Sequence, residues 1–216
     1  MSEIFCDCMK LFAVFLVSFL WLPINPEVYL SKIDGFATKS FFKAEVYAKH
    51  DWQSFEKLPE PNELVQIDKF DVHLMNASLF FASNKIRQSK KVAPLAYSES
   101  LRNAALVHSN EMVERQFYSH INSKNIELRA PDGRMKMFGI SNVLMAENIH
   151  RFPFVPNETT YLALAQNIMD DFYKSEGHRQ NLMNKNFTHT GCAALWEFST
   201  REKYHFAKVT QCFIRI

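Results

Sequence analysis

Four polar side chains stand apart in this chain of 216 residues: His120, Glu147, Glu176 and His178. His120 closes the run RQFYSH. Glu147 is an acid inside the apolar stretch MAENI, and Glu176 and His178 flank a glycine in SEGHRQNLM. Two imidazoles and a pair of carboxylates gathered by a fold support either of two chemistries. They hold a divalent cation through ring nitrogen, or they move a proton between an acid and a base. Spacing alone leaves both open, because the chain carries no H-E-x-x-H, C-x-x-C or G-x-S-x-G pattern.

Residues so far apart meet only if the elements between them fold back. Val72, Met75, Leu79, Ala82 and Ile86 share one helical face, and Pro94 in RQSKKVAPL is the expected stop. Ser98 is a good N-cap for a second helix with Leu101, Ala105, His108 and Met112 on its apolar side. Tyr161, Ala165, Ile168 and Phe172 line a third. GCAALWEF and YHFAKVTQCFI then predict a hairpin turning at STREK, near Arg201. Helices and antiparallel strands are segregated, which makes the fold class α+β. The stretch from Tyr118 to Asn157 reads as one long irregular connection, a length that usually serves function. At its far side, Gly177 is expected to supply a sharp turn that delivers His178, and Arg179 to tie that turn to the helix end.

The remaining polar groups read as structural. His108 suits a core or boundary position, His189 borders a strand, and Gln211 needs partners inside the last strand. Trp196 and Phe206 read as strand packing, and SKK at 89–91 as a solvated loop. With a net charge of +2 and no basic tract, nothing points to nucleic acid.

The first thirty residues are different. An uncharged apolar run from Leu11 to Ile24 is short for a membrane span and fits a signal peptide or N-terminal anchor, with Met9 as the apparent start of translation. Cys6 and Cys8 then lie upstream of it. Residues 25–71, with KLPEPNELVQIDKF, read as a linker or accessory segment, and 72–216 as the folded domain. Cys192 and Cys212 fall on the two predicted strands, close to opposite one another, and are either a disulfide or two buried thiols. Sequons occur at Asn76, Asn157 and Asn186.

Read in order, ALVHSNEMVERQFYSH, AENI, DDFYKSEGHRQNLMNKNFTHTGCAAL and YHFAKVTQCF resemble the CAP superfamily, also called the SCP domain, and most closely its bacterial branch. The resemblance covers roughly Val72 to Ile216. It implies a three-layer α-β-α sandwich with a central antiparallel sheet and a cleft holding two histidines and acidic residues. His120, Glu147 and His178 match the cleft positions, with Asn148 as a hydrogen-bond donor behind them. Many eukaryotic members carry a second acid where this chain has Ser175. Glu176 is one residue later, rotated by about 100° on a helix. The resemblance therefore implies a site of two histidines and one glutamate, with His120 and His178 as metal ligands and solvent completing the shell. Zn2+, or another divalent cation, suits that set, and no organic cofactor is implied.

Three functions follow as expectations. One is a secreted or membrane-anchored monomer that binds a lipid, glycan or protein ligand at the cell surface, touching membrane only through its N-terminal segment. Another is a peptidase-like metal hydrolase with Glu147 as general base. The third is a structural module with a vestigial cleft. An extracytoplasmic location is checked by fractionation: the protein is expected outside the cytoplasm, and a cytoplasmic product beginning at Met1 would remove the signal argument.

Overall fold

The computed structural model describes residues 25–34, 45–197 and 204–216. The apolar run before Asn25, with Met9, Cys6 and Cys8, and the STREK turn lie outside the described residues.

The three periodic helices form where their apolar faces predict them: α4 (Val72–Ser89), α5 (Glu99–Glu114) and α7 (Tyr161–Lys174). Each begins on a side-chain cap, Asp71, Ser98 and Thr160 respectively, accepting a backbone N–H three residues on. α4 ends earlier than Pro94 suggests: Lys91 turns the chain out at φ 59°. Before α4 lie α1 (Pro26–Asp34), α2 (Glu45–Lys49) and α3 (Trp52–Phe55). Strand β1 (Ala96–Tyr97) precedes α5. After α5 come α6 (Pro131–Met137) and β2 (Met145–Phe154), and after α7 come α8 (Glu176–Leu182), β3 (His189–Glu197) and β4 (His205–Ile214).

The sheet has the order β1-β3-β4-β2, with β3, β4 and β2 antiparallel and the short β1 parallel to β3. Helix α5 covers one face. Its Ser109 hydroxyl reaches Ala193 O and Thr210 Oγ1 at 3.2 and 3.0 Å, and Gly191 lies directly on its first turn. Helix α4 covers the other face, where Asn76 Oδ1 accepts from Ala194 N and Ser83 Oγ accepts from Gln211 Nε2. Helix α7 packs beside α4. Helix, sheet and helix thus form the three layers of an α-β-α sandwich.

One expectation is corrected here and one open alternative is decided. The stretch from 118 to 157 is not one irregular loop, since it contains α6 and the ten-residue β2. Strand β2 escaped notice because Glu147, Asn148, His150 and Arg151 break any simple alternation, and it forms by pairing along its whole length with β4. Cys192 and Cys212 are free, buried thiols. Cys192 pairs with Gln211 and Cys212 with Gly191, one step out of register. Paired residues share a face and neighbours alternate, so the two thiols point to opposite sides of the sheet. Burial pushes Cys192 up to about 12 and Cys212 well above a normal thiol, so neither is a ready nucleophile.

Residues 45–71 pack onto this sandwich. Tyr47 stacks on Tyr97 with ring centroids 3.5 Å apart, Phe55 stacks on Phe81, and Val65 N donates to Thr159 O at 2.8 Å. Of the sequons, Asn76 is buried under the sheet, while Asn157 and Asn186 are exposed.

The outer edge of β2 is closed by side chains. Tyr118 Oη donates to Ile149 O at 3.2 Å. Asn181 Nδ2 reaches Glu147 O at 3.4 Å, and Pro153 has no N–H to offer on the same edge.

The tightest contact between layers is testable. A Cβ on Gly191 would lie 2.1 Å from Arg102 N and 2.4 Å from Leu101 C, backbone atoms that cannot swing aside. Gly191→Ala is expected to destabilise by about 3 kcal/mol, read from the denaturant midpoint of unfolding.

Candidate functional site

Glu147 occupies the position on β2 that faces α5 and the loop after it. Its side chain is only 2% exposed, and each oxygen has a charged or polar partner. Oε2 takes a 2.7 Å hydrogen bond from Arg134 Nη2, and Oε1 takes a 2.9 Å hydrogen bond from His120 Nδ1. Arg134 comes from α6 and is itself buried at 1%. Its Nη1 also donates to Leu128 O and Arg129 O and its Nη2 to His120 O. The guanidinium therefore neutralises the acid and fixes the loop that carries His120. Burial, the largest single influence on Glu147, pushes its pKa up. The bond from His120 and the charges of Arg134 and His108 outweigh it and hold the carboxyl below the usual range.

His108 closes this cluster from α5. Its Nε2 lies 3.1 Å from Ser119 O, so that nitrogen carries the proton, and it sits 3.8 Å from Glu147 Oε1. Its Nδ1 is buried without a partner. Desolvation, partly offset by the neighbouring Glu147, holds its pKa down to about 4, so His108 is a neutral wall of the site.

His120 is different. With Nδ1 committed to the carboxylate, its ring is oriented and Nε2 is the free nitrogen, on a side chain 47% exposed. A carboxylate behind one imidazole nitrogen raises the basicity of the other and fixes the tautomer.

The second histidine enters from across the β2 edge. Ser175 ends α7 in an extended conformation (φ −73°, ψ 124°) and opens α8. That residue, not Gly177, makes the break. Gly177 sits inside the first turn of α8 with an ordinary helical φ and open space around it, which corrects its expected role. Glu176 is exposed in the same turn, where a carboxylate suits the helix dipole, and it bonds to none of the cleft residues. Arg179 caps the end of α7 through Tyr173 O and Lys174 O at 3.0 and 3.2 Å.

Asn148 fixes α8 against the sheet. Fully buried, it donates to His178 O at 3.0 Å and accepts from Asn181 Nδ2 at 2.9 Å. The His178 ring lies edge-on to Phe172, with centroids 5.0 Å apart. Burial lowers its pKa, and repulsion from His150 and His120 lowers it further. His178 is therefore neutral at pH 7.

The structure joins His120 to Glu147 directly, ties His178 to Asn148 through its backbone carbonyl, and leaves Glu176 outside. His189 hydrogen-bonds only to Thr188 among the described residues. Sequence reasoning missed Arg134, Asn181 and the pair His150–Asp171, whose Nε2 and Oδ2 are 3.2 Å apart beside Phe172. Arg134 lies in the run RAPDGR, and no spacing rule marks a buried arginine before its carboxylate partner is placed.

A cation here would have to rest on the ring nitrogens of His120 and His178, with solvent completing its shell. Both oxygens of Glu147 are engaged, and no group of three or more His, Cys, Asp or Glu side chains among the described residues is arranged to hold an ion. What these elements present is the His120 ring, on a side chain 47% exposed, and the neutral ring of His178.

Residues 80–207 match the family model described as the cysteine-rich secretory protein family, CAP. The uncharacterized protein YkwD of Bacillus subtilis (strain 168) is 30% identical over 131 residues, covering 61% of this chain and 43% of that protein. An extracellular protein containing an SCP domain from Bacillus anthracis, of known crystal structure, is 25% identical with a TM-score of 0.50. That match covers 67% of this chain and 41% of the other. The chain spans less than half the length of these relatives.

The protonation of His108 predicts an acid-dependent loss of stability. Its folded pKa lies below the unfolded value, so its contribution is complete above about pH 6.5 and is lost as pH falls toward about 4. Wild type is expected to lose about 3 kcal/mol more over this window than His108→Gln, measured by urea unfolding across the pH range.

Proposed function

Because the chain belongs to the cysteine-rich secretory protein family, CAP, we propose that it is an extracytoplasmic binding module whose ligand contacts are His120 and His178. The observation that carries this reading is the state of Glu147. A general base needs a free lone pair facing water, and this carboxylate spends one oxygen on Arg134 and the other on His120. Removing its charge from the reacting position leaves a cleft that recognises rather than cleaves. Imidazole rings accept or donate single hydrogen bonds, and the exposed side chains of Tyr118 and Ile121 beside His120 add apolar contact. A ligand with hydroxyl or phosphoryl oxygen next to apolar surface suits this lining, as in a lipid, a glycan or a segment of protein. The extracellular character of the Bacillus anthracis relative supports the location.

The test follows the histidine ring signals by NMR. Anionic lipid vesicles, soluble cell-wall glycan fragments and a peptide mixture are titrated separately into the protein. One class is expected to shift His120 and His178, with at least tenfold weaker binding in the His120→Ala/His178→Ala variant. Silence of both rings toward all three overturns the reading. Two further measurements oppose the alternatives. Calorimetry is expected to give the same zinc uptake in wild type and the double variant, and a zinc site lost on mutation would restore the metal centre. Peptide or ester turnover abolished in Glu147→Gln would restore the hydrolase.

A further inference from the structure

A second buried acid lies behind the site. Glu111, on α5, has a side chain only 4% exposed, and it collects donors from three directions. Oε2 accepts from Asn122 Nδ2 at 2.7 Å and from Arg115 Nε at 2.6 Å, while Oε1 accepts from Tyr29 Oη at 2.5 Å. Asn122 is fully buried two residues beyond His120, and its own N–H bonds to Arg129 O at 2.8 Å. Tyr29 belongs to α1, far outside the residues that match the family model.

We propose that α1 is part of the site, with Tyr29 a positioning residue that acts through Glu111 and Asn122 on the loop carrying His120. Tyr29 supplies the donor on Oε1 among the described residues. Without it, a buried carboxylate oxygen is left unpaired, a costly state. Glu111 then turns toward solvent or pulls Asn122 and Arg115 to the vacant oxygen, and either movement releases the turn around Asn122. Helix α1 is itself built to dock. The Asn25 side chain caps it through Glu27 N at 2.9 Å, Ile33 is buried, and Asn110 Nδ2 steadies the phenol at 3.4 Å. The opposite surface, with Glu27 and Ser31, faces solvent. Attachment is thus narrow, and whatever moves α1 is felt at His120.

This inference rests on His120 being a ligand contact, but its test needs no ligand. Amide hydrogen exchange of the intact chain is followed by NMR in wild type, Tyr29→Phe and Asn122→Ala. Tyr29→Phe is expected to speed exchange about tenfold at the backbone N–H of Asn122 and at its side-chain amide, with the β3–β4 amides unchanged. Coupling is reciprocal, so Asn122→Ala is expected to speed exchange in α1 from Tyr29 to Ile33. Unchanged exchange around Asn122 in the first variant, or in α1 in the second, overturns the proposal. A failed ligand titration with coupled exchange intact would instead count against the binding reading alone.

Discussion

The pairing of Glu147 with Arg134 is the constraint around which the cleft is arranged. Neither charge tolerates burial alone, since an isolated ion in the protein interior costs several kcal/mol. The guanidinium therefore needs every acceptor it can reach. It finds them in the carbonyls of the loop that carries His120 and in the carboxylate on β2. The carboxylate, once neutralised, turns its second oxygen to the His120 ring. One ion pair thereby settles the backbone of the loop, the rotamer of the histidine and the protonation state of its inner nitrogen. This arrangement also explains why a conspicuous acid in the sequence is a poor candidate for chemistry. Its negative charge is already used.

The other side of the cleft is held without charge. Asn148 and Asn181 pair their amides between β2 and α8, and the carbonyl of His178 completes the set. Because adjacent residues on a strand face opposite sides, Glu147 and Asn148 serve the two walls separately: one acts on the α5 side and the other on the α8 side. A dipeptide in an edge strand thus organises both histidines. Distant anchoring follows the same logic, with Arg87 buried at the end of α4 and bound to Leu182 O and Asn184 O, fixing the far end of α8.

Much of this was legible in the sequence, and the limits are physical. The three long helices announce themselves because one face of each is apolar at a period that only a helix satisfies, and their caps are residue types with a single strong preference. The ordered motifs singled out His120 and Glu147, which the structure joins by a hydrogen bond. Strand β2 did not announce itself, because its stability comes from β4 rather than from its own pattern. Ser175 was passed over for Gly177, since glycine is the usual breaker, yet the extended φ and ψ that separate α7 from α8 need no glycine at all. The roles of Arg134 and Glu111 were invisible for a simpler reason: a charge becomes a structural element only once the fold has removed its water.

The treatment of the β2 border has a consequence beyond the cleft. A ten-residue strand at the rim of a sheet would ordinarily recruit another chain through its unused backbone groups, the first step toward fibrillar association. Here a tyrosine hydroxyl, an asparagine amide and a proline occupy those valences along the length where pairing would begin. Side chains that frame the histidines thus also occupy part of the border through which a further strand would add.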